Sequence, residues 1–402
     1  MKFGLDLPPQ FKVFGAFFVY SFCMGSMFPR LPDIQRAMDV GEGQLGLALI
    51  GSAVGTLISL TFAGRFIEAI GYRRVLLTAI PLLSVFYALA MWAQGPLMFF
   101  LALVPVGLTI GCIEVIINIE ADRVEHAIGK RIMSRAHAFW SLGFFAAGMV
   151  GSFIAQSGLS PQLHLMLMIP VILLAVLVIL GRFEPAPHRT GSSTDETPHF
   201  ARPTTTIMML VAVCISAMLM EGAGIDWSAI YMRNVFDAAP FWAGIAVATV
   251  AGSQAFARFF ADALVDRYSP VLVARTLLGV LGIGVLLVFC VPFIWNGAPV
   301  FDLLGAMLAY LGFALIGIGS SALFPLAMSA AAQQTDRPAA INVAALAQFS
   351  FTAFLLGPPL LGYVAEHFGI QWTFGVGIPL VILGLATAQV LAPRPTTRTA
   401  TI

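Results

Sequence analysis

Apolar residues recur along the chain in long runs that are separated by short polar breaks. Each run holds about 20 residues, the length that a helix needs to cross about 30 Å of hydrocarbon. Because backbone groups in lipid must find partners within the chain, repeated runs of this length predict a bundle of transmembrane helices and not strands. The pattern predicts twelve spans, over residues 12–32, 44–63, 75–93, 97–120, 136–157, 164–181, 206–230, 240–261, 271–294, 302–331, 340–364 and 371–391.

Composition agrees with this pattern. Hydrophobic residues make up 59% of the chain and charged residues only 10%, whereas the surface of a soluble domain needs about 25% charged residues. The sequence therefore predicts a polytopic protein whose partner is the lipid bilayer. The four cysteines lie in apolar stretches without paired spacing and are interpreted as small core residues. The first apolar run lacks a small-residue cleavage site after it, so we expect it to be retained as a helix.

A central segment divides the chain. Residues 182–205 are rich in Pro, Ser and Thr and poor in aliphatic residues, which is typical of a linker. They separate a first half, residues 1–181, from a second half, residues 206–402, with six predicted spans in each. The predicted fold class is therefore an all-α membrane protein with two six-helix bundles.

Lys and Arg residues indicate the orientation. With the N-terminus in the cytoplasm, all but three of the 21 Lys and Arg residues fall on or near the cytoplasmic side. The exceptions are Arg30, Arg36 and Arg233. The positive-inside rule then places both termini and the central linker in the cytoplasm.

Two short loops repeat at half the chain length. The segment 64–75, GRFIEAIGYRRV, joins spans two and three, and the segment 262–273, DALVDRYSPVLV, joins spans eight and nine. Glu68 superposes on Asp266, and arginines lie nearby in both loops. Parallel six-helix repeats are one known architecture of secondary transporters. These loops are predicted to help lock the cytoplasmic side, through Glu68, Arg73, Arg74, Asp266 and Arg267.

The first of these loops resembles the corresponding loop of the major facilitator superfamily, whose pattern is Gly-x-x-x-Asp-Arg-x-Gly-Arg-Arg. Gly64, Glu68, Gly71, Arg73 and Arg74 match that pattern in type. Together with the twelve spans and the central linker, the resemblance covers the whole chain. It implies two bundles around a central cavity that open alternately to the two sides.

Further residues resemble the fucose-permease-like branch of bacterial inner-membrane transporters. In the first half these are Glu114, Asn118, Glu125 and the run from His137 to Gly143; in the second they are Glu221, Asp226, Trp227, Arg258 and Asp262. Fucose permease is a proton–sugar symporter with acids in its first and fourth spans. The first span of the present chain has no acid.

The strongest functional signal is a polar stripe in span four. Glu114 and Asn118 are four residues apart within an apolar run, and Gly107, Gly111 and Glu125 lie on the same helical face. A charged carboxylate inside a bilayer costs several kcal/mol, so it faces a cavity, is paired or is protonated. Glu114 is thus a candidate for proton binding or substrate contact. The alternative is a structural pair bonded to a neighbouring helix.

Spans five and seven supply the remaining candidates for coupling and binding. His137 can titrate near neutral pH or merely anchor a helix start, and Trp140 can line a cavity or join an interfacial belt. In span seven, Glu221 is the deeper acid and Asp226 lies nearer the outer surface. Gly222 and Gly224 are expected to interrupt that helix, and interrupted helices mark transporter binding sites. Trp227 and Tyr231 either stack on a substrate ring or belong to the outer aromatic belt.

Other polar positions carry weaker signals. Glu125 is a candidate for an inner-gate ion pair, and Arg258 with Asp262 is a helix-surface pair with a structural or gating role. Tyr20, Asn342 and Gln348 occupy central helices and are candidate cavity residues.

The function favoured by the sequence is secondary active transport of a small polar organic solute by proton symport, and sugar-like molecules are one candidate class of solute. The alternatives are a proton-antiport exporter of drugs or amphipathic metabolites and a non-transporting membrane sensor. The sequence contains no Walker-type motif and no catalytic signature, so neither an ATP-driven pump nor an enzyme is expected. Neither a cofactor nor a metal site is predicted. The net charge of +1 gives no reason to expect nucleic acid, and a monomer in the bacterial inner membrane is expected.

Overall fold

The structure is a computed structural model that describes residues 4–187, 201–294 and 299–392. Side chains within these ranges are described except at residues 63–66, 68, 262, 266, 299–302 and 340. The described chain is helical and contains no strand, and twelve of its helical spans are long and apolar enough to cross a membrane. The predicted fold class and span number are confirmed.

The six spans of the first half follow the predicted order. Span one is built from two helices and a short 3₁₀ turn, and the other spans are single helices. Their bounds are Pro9–Gly25, Phe28–Arg30 and Leu31–Met38 for span one, Glu42–Ile70 for span two, Tyr72–Ala90 for span three, Pro96–Ile128 for span four, Met133–Gln156 for span five and Pro161–Leu180 for span six.

The second half contains more interrupted spans. Its helices are Thr205–Phe236 for span seven, Pro240–Arg267 for span eight, Pro270–Ile294 for span nine, Pro299–Ser320 and Leu323–Ala332 for span ten, Ala339–Ser350 and Thr352–Phe368 for span eleven, and Trp372–Gly375, Gly377–Thr387 and the 3₁₀ turn Ala388–Leu391 for span twelve.

Local sequence explains where these helices begin and end. Proline occupies the first position of spans four, six and eight, where its missing N–H costs nothing and its fixed φ suits a helix. The side chains of Ser160 and Thr204 accept the backbone N–H three residues ahead and so cap spans six and seven. Span four ends at Gly129, which has a φ of 65°, a conformation that glycine adopts without strain.

The predicted interruption of span seven is wrong. Its helix runs without a break from Thr205 to Phe236. Gly224 instead lets span eight approach closely, since an added Cβ would lie 3.0 Å from a methyl carbon of Val250. The helices that do break are in spans one, ten, eleven and twelve, the last three at Ser321–Ala322, Phe351 and Val376.

Large apolar side chains cover the outside of the bundle. Phe62, Leu174 and Ile294 are 64%, 62% and 65% exposed in the isolated chain. A soluble protein does not expose such side chains over its whole girth. The bilayer is their natural cover, in agreement with the expected lipid partner.

Two seams join the halves. In one, span five packs on span eight, where an added Cβ at Gly148 would lie 3.1 Å from the backbone nitrogen of Ala248. In the other, span two packs on span eleven, where Gly46 comes so close to the Pro358 carbonyl oxygen that any Cβ would overlap it. Small residues at such crossings let helix backbones approach in a membrane.

Candidate functional site

A cavity of about 750 Å³ lies between the two halves. Its volume is in the range of small-molecule sites. Its wall reaches Arg131, Val265, Pro270, Gln333 and Ala392, which lie at or next to span ends on one face of the bundle. That face also carries the described chain ends, so the cavity opens there and penetrates toward the middle of the bundle.

The first half contributes a hydrogen-bonded row of three side chains. Asn118 donates from Nδ2 to the Glu114 carboxylate, 3.1 Å away, and to the Glu114 backbone carbonyl, 2.9 Å away. His137 Nε2 lies 3.2 Å from Asn118 Oδ1. Spans four and five thus place Glu114, Asn118 and His137 together on the cavity wall. Helical spacing indicated the first two as neighbours, and the structure adds His137.

Glu114 lies in a protected position. The Tyr20 side chain from span one is fully buried and lies beside its carboxyl group. Within the described ranges, Glu114 forms no ion pair.

Trp140 lies one turn from His137 on the same wall, where its ring stacks on Phe144 at 5.4 Å and its buried Nε1 has no hydrogen-bond partner.

The second half contributes Arg258. Its Nη1 donates to Ser141 Oγ at 2.6 Å and its Nε donates to the Ser321 carbonyl at 3.2 Å. Ser141 belongs to span five in the first half, so this contact crosses between the halves. The Ser321 carbonyl is available because span ten breaks at that point. A second bond across the seam joins Ser141 Oγ to Gln254 Oε1 at 3.3 Å.

Arg258 and Glu221 form a loose pair on the cavity wall. Nη2 of Arg258 lies 3.8 Å from Glu221 Oε1, and the two side chains are 18% and 13% exposed. This separation satisfies an ion pair but exceeds hydrogen-bond length. The guanidinium therefore keeps donor capacity toward the cavity. Its predicted partner, Asp262, has a side chain outside the described residues.

Other candidates of span seven lie away from the cavity. Trp227 and Tyr231 are fully buried within the second half, where the Tyr231 hydroxyl donates to the Val288 carbonyl at 2.7 Å and the ring packs edge-on against Phe313. The sequence left two roles open for these rings, stacking on a substrate or membership of the outer aromatic belt. Either role needs an exposed ring, and both rings are buried here. Asp226 is partly exposed but is absent from the cavity wall.

The weaker candidates are tied elsewhere. Asn342 donates to Asp336 Oδ1 at 2.9 Å, and Gln348 accepts the Ala201 N–H at 3.1 Å, so neither lines the cavity. Glu125 caps span five by accepting the backbone N–H groups of Ile132 and Met133 at 2.7 and 3.1 Å. In this conformation its partners thus belong to the first half alone.

The predicted cytoplasmic gate is only partly described. Arg73 donates to the Gly181 carbonyl at 2.6 Å, which ties the loop after span two to the end of span six. Arg74 and Arg267 are exposed. The side chains of Glu68 and Asp266 lie outside the described residues, so the proposed matching of the two loops stays a prediction.

The opposite end of the boundary is held shut by contacts between the halves. Arg233 at the end of span seven donates to the Pro32 carbonyl at 2.9 Å and to Gln35 Oε1 at 2.6 Å. Asn234 donates to Glu42 Oε1 at 3.0 Å, and Glu366 accepts the Gly43 N–H at 2.8 Å. We call these four hydrogen bonds the outer latch.

The three exceptions to the positive-inside distribution all lie at this latched end. They are Arg30, Arg36 and Arg233. Arg30 is 2% exposed, donates to the Leu159 carbonyl at 2.7 Å and pairs with Asp33 at 2.8 Å. Arg36 pairs with the same carboxylate at 2.6 Å. Each is engaged in a specific contact, which explains how positive charge is accommodated there. Sequence reasoning found these arginines only as exceptions. It included Ser141 only within the run from His137 to Gly143, and it missed Gln254 and Ser321, whose partners are remote in sequence.

The arrangement is suited to binding and not to bond chemistry. Its deep part presents two carboxyl groups, a guanidinium, an imidazole and an amide to a space that opens at one end. No group of three His, Cys, Asp or Glu side chains in the described parts of the chain is placed to hold a metal ion.

Comparison with known proteins identifies the relatives of this chain. A family model for the Major Facilitator Superfamily matches residues 13–335 and 209–402. An uncharacterized MFS-type transporter of Yersinia pestis is 27% identical over 93% of both chains. Among solved structures, the nucleoside transporter NupG superposes with a TM-score of 0.71 at 12% identity, covering 95% of this chain and 100% of NupG. A D-xylose-proton symporter superposes with a TM-score of 0.69 at 14% identity, covering 95% of this chain and 96% of the symporter.

Proposed function

Because the chain belongs to the major facilitator superfamily and is therefore a membrane transporter and not an enzyme, we propose that it carries a small polar organic solute by proton-coupled symport. The main support for this proposal is the polar cavity between the two halves. The cavity is open at one end, and the outer latch closes the other end. That geometry is one of the two end states that alternating access requires.

The direction follows from charge asymmetry. Within the described ranges, most Lys and Arg residues lie toward the face where the cavity opens, and the positive-inside rule makes that face cytoplasmic. The proposed state is therefore inward-open, with both termini proposed to lie in the cytoplasm. Bacterial relatives support the inner membrane as its location, and the Glu114 and Glu221 motifs support the fucose-permease-like branch.

Glu114 is the proposed proton carrier. Its carboxyl group faces the cavity, and its named neighbours, the Asn118 amide and the Tyr20 hydroxyl, carry no charge. Holding an uncompensated carboxylate at membrane depth costs several kcal/mol, so protonation from the cavity water relieves that cost. A group that takes a proton on one side and releases it on the other couples the gradient to transport.

The wall chemistry supports a hydroxyl-rich solute. The Glu114 carboxyl and the Asn118 amide on the wall can accept and donate hydrogen bonds. Aromatic rings of Trp140, Phe351 and Phe354 provide apolar faces of the kind that pack on a sugar ring. The same rings and the methionines of the wall fit an amphipathic solute, which keeps a proton-antiport exporter as the second candidate.

Transport in proteoliposomes tests the proposal. A thermal-shift screen on purified protein first supplies a ligand, since binding to the folded state raises the apparent stability. An imposed inward proton gradient should then drive accumulation of that ligand. Accumulation under an outward gradient would indicate antiport, and binding without flux would indicate a sensor; either result overturns symport.

Substitution of Glu114 gives the sharpest mutational test. Glu114→Gln keeps the shape and the hydrogen-bonding capacity but cannot exchange a proton, so gradient-driven accumulation should fall to the level of empty vesicles. Equilibrium exchange of ligand across the membrane, which needs no net proton movement, should persist. Asp6→Asn is the matched control, because Asp6 is exposed near the chain start. Full accumulation by Glu114→Gln would remove Glu114 from the mechanism.

A further inference from the structure

Arg258 is the only guanidinium of the described residues that meets the deep part of the cavity, as Arg131 lies at the mouth. Two of its contacts hold it in place, one to each half, at Ser141 and at the Ser321 carbonyl. Its charge partner, Glu221, lies 3.8 Å away and is not hydrogen-bonded to it. Arg258 is thus positioned firmly while its charge is only loosely compensated.

From this geometry we infer that Arg258 anchors a carboxylate group of the solute, so that the transported molecule is a small hydroxylated monocarboxylate. This inference rests on the proposed transport function and names the substrate class for its cavity. A guanidinium is planar and presents paired N–H groups that match a carboxylate better than a single hydroxyl. Hydroxyl groups of the same molecule then meet Asn118 and Glu114.

Glu221 competes with the solute for Arg258. When a solute carboxylate pairs with the guanidinium, the Glu221 carboxylate is left on the cavity wall beside a second negative charge. A proton from the cavity water then adds to a Glu221 carboxylate oxygen and gives a neutral carboxylic acid. The site gains one anion and one proton, so its net charge is the same before and after binding.

The charged residues that line the cavity are consistent with this balance of net charge. The described titratable residues that line the cavity are Glu114, Glu221, His137, Arg131 and Arg258. With Glu114 protonated as proposed and His137 neutral, the deep part of the cavity carries one positive charge on Arg258 and one negative charge on Glu221, while Arg131 lies at the mouth. A neutral solute leaves this balance undisturbed but makes no use of Arg258, whereas a polyanion exceeds what one guanidinium and one proton compensate.

Isothermal titration with matched pairs of probes tests the inference. D-gluconate is compared with D-glucitol, D-galacturonate with D-galactose, and glycerate with glycerol; within each pair a carboxylate replaces an uncharged group. At least one acid should bind the purified protein, and its neutral partner should bind at least about tenfold more weakly. Titration in buffers of different ionisation enthalpy should show uptake of about one proton per acid bound.

Two variants separate the roles of the pair. Arg258→Gln should weaken binding of the acid about tenfold or more, while Arg275→Gln, an exposed arginine of span nine, should leave it unchanged. Glu221→Gln removes the competitor and should tighten acid binding several-fold and abolish the proton uptake. A purely structural ion pair would not produce this tightening. The Glu221 variant also keeps the test decisive if Arg258→Gln fails to fold.

The opposite results overturn the inference. These are equal or tighter binding of the neutral partner, acid binding that survives in Arg258→Gln, weaker acid binding in Glu221→Gln, or binding of none of the three acids. Proton-driven uptake of a neutral partner would contradict the inference and leave symport intact. Binding of an acid without any gradient-driven uptake would uphold the carboxylate anchor and contradict symport.

Discussion

The boundary between the two halves is built differently at its two ends. At the outer end, backbones meet at Gly46 and Pro358, and the outer latch surrounds that contact. At the cavity mouth, span ends carry polar side chains such as Arg131 and Gln333 that reach water and not the other half. The comparison indicates that close backbone packing holds the shut end and that polar contacts set its alignment.

The solvent exposure of the latch contacts explains why backbone packing should contribute more than these hydrogen bonds to holding the outer end shut. Polar contacts in water exchange bonds with solvent and contribute on the order of 1 kcal/mol or less each. Asn234 and Glu366 are exposed, so their contacts belong to this class. An overlap with a backbone carbonyl cannot be relieved by rotating a side chain, and overpacking costs about 1–3 kcal/mol.

Gly46→Ala should therefore have the largest effect on the shut end. Its methyl group would overlap the Pro358 carbonyl oxygen, so the seam between spans two and eleven must separate. A cysteine at Ala248, which is 1% exposed in the other seam, reports opening of the whole outer end when the four native cysteines are replaced by alanine. We expect its maleimide labelling rate to rise roughly tenfold or more, since about 1.4 kcal/mol is tenfold in an equilibrium.

Gly279→Ala is the matched control for this prediction. An added Cβ at Gly279 meets no atom within 4 Å, so the same change of residue type should leave labelling at Ala248→Cys unchanged. Equal labelling rates for Gly46→Ala and Gly279→Ala in folded protein would show that the seam between spans two and eleven does not hold the outer end.

Removal of the central latch residue should have an intermediate effect. Arg233→Gln loses the bonds to the Pro32 carbonyl and to Gln35, but Arg233 is half-exposed, so water replaces part of what is lost. We expect labelling at Ala248→Cys to rise a few-fold. Arg36→Gln provides the control, because the Arg36 side chain is 62% exposed and its ion pair with Asp33 stays within one helix. A rise in that control equal to Arg233→Gln would indicate an effect of charge alone.

Much of the fold was predictable because the bilayer imposes its length on every span. Span eight was predicted over residues 240–261, and the membrane-spanning part of its helix is Pro240–Ala261. Span four was predicted to end at residue 120 but continues to Ile128. Hydropathy marks the edge of the lipid and not the end of the helix. Beyond that edge the ion pair of Glu120 with Arg123, at 3.3 Å, sustains the helix.

The candidate site was predictable only where its residues share a helix. Glu114 and Asn118 follow from i, i+4 spacing, and the structure brings them together as expected. Arg258 touches residues 117 and 63 positions away, in two other spans. Periodicity within one helix contains no information about such packing. For the same reason Trp227 was expected at an exposed position, although its ring is fully buried between helices.

Removal of a peripheral latch contact should have the smallest effect of the series. Asn234→Ala deletes two hydrogen bonds of an exposed side chain, one donated to Glu42 Oε1 at 3.0 Å and one accepted from Arg233 Nε at 2.9 Å. Surface substitutions of this kind change stability by about 0.5 kcal/mol or less, so labelling at Ala248→Cys should change less than about twofold. Glu42→Gln keeps an acceptor for Asn234 and serves as its control.

The size of that small effect is what decides between packing and polar contacts. If Asn234→Ala opened the outer end as much as Gly46→Ala, the shut state would depend on the network of the outer latch acting as a unit, because coupled hydrogen bonds lose more than their individual contributions when one is removed. A double variant, Asn234→Ala with Arg233→Gln, would then open the outer end no further than either change alone. Additive effects of the two changes would instead show that the latch contacts act independently and contribute unequally. The close backbone packing at Gly46 would then be what holds the outer end closed.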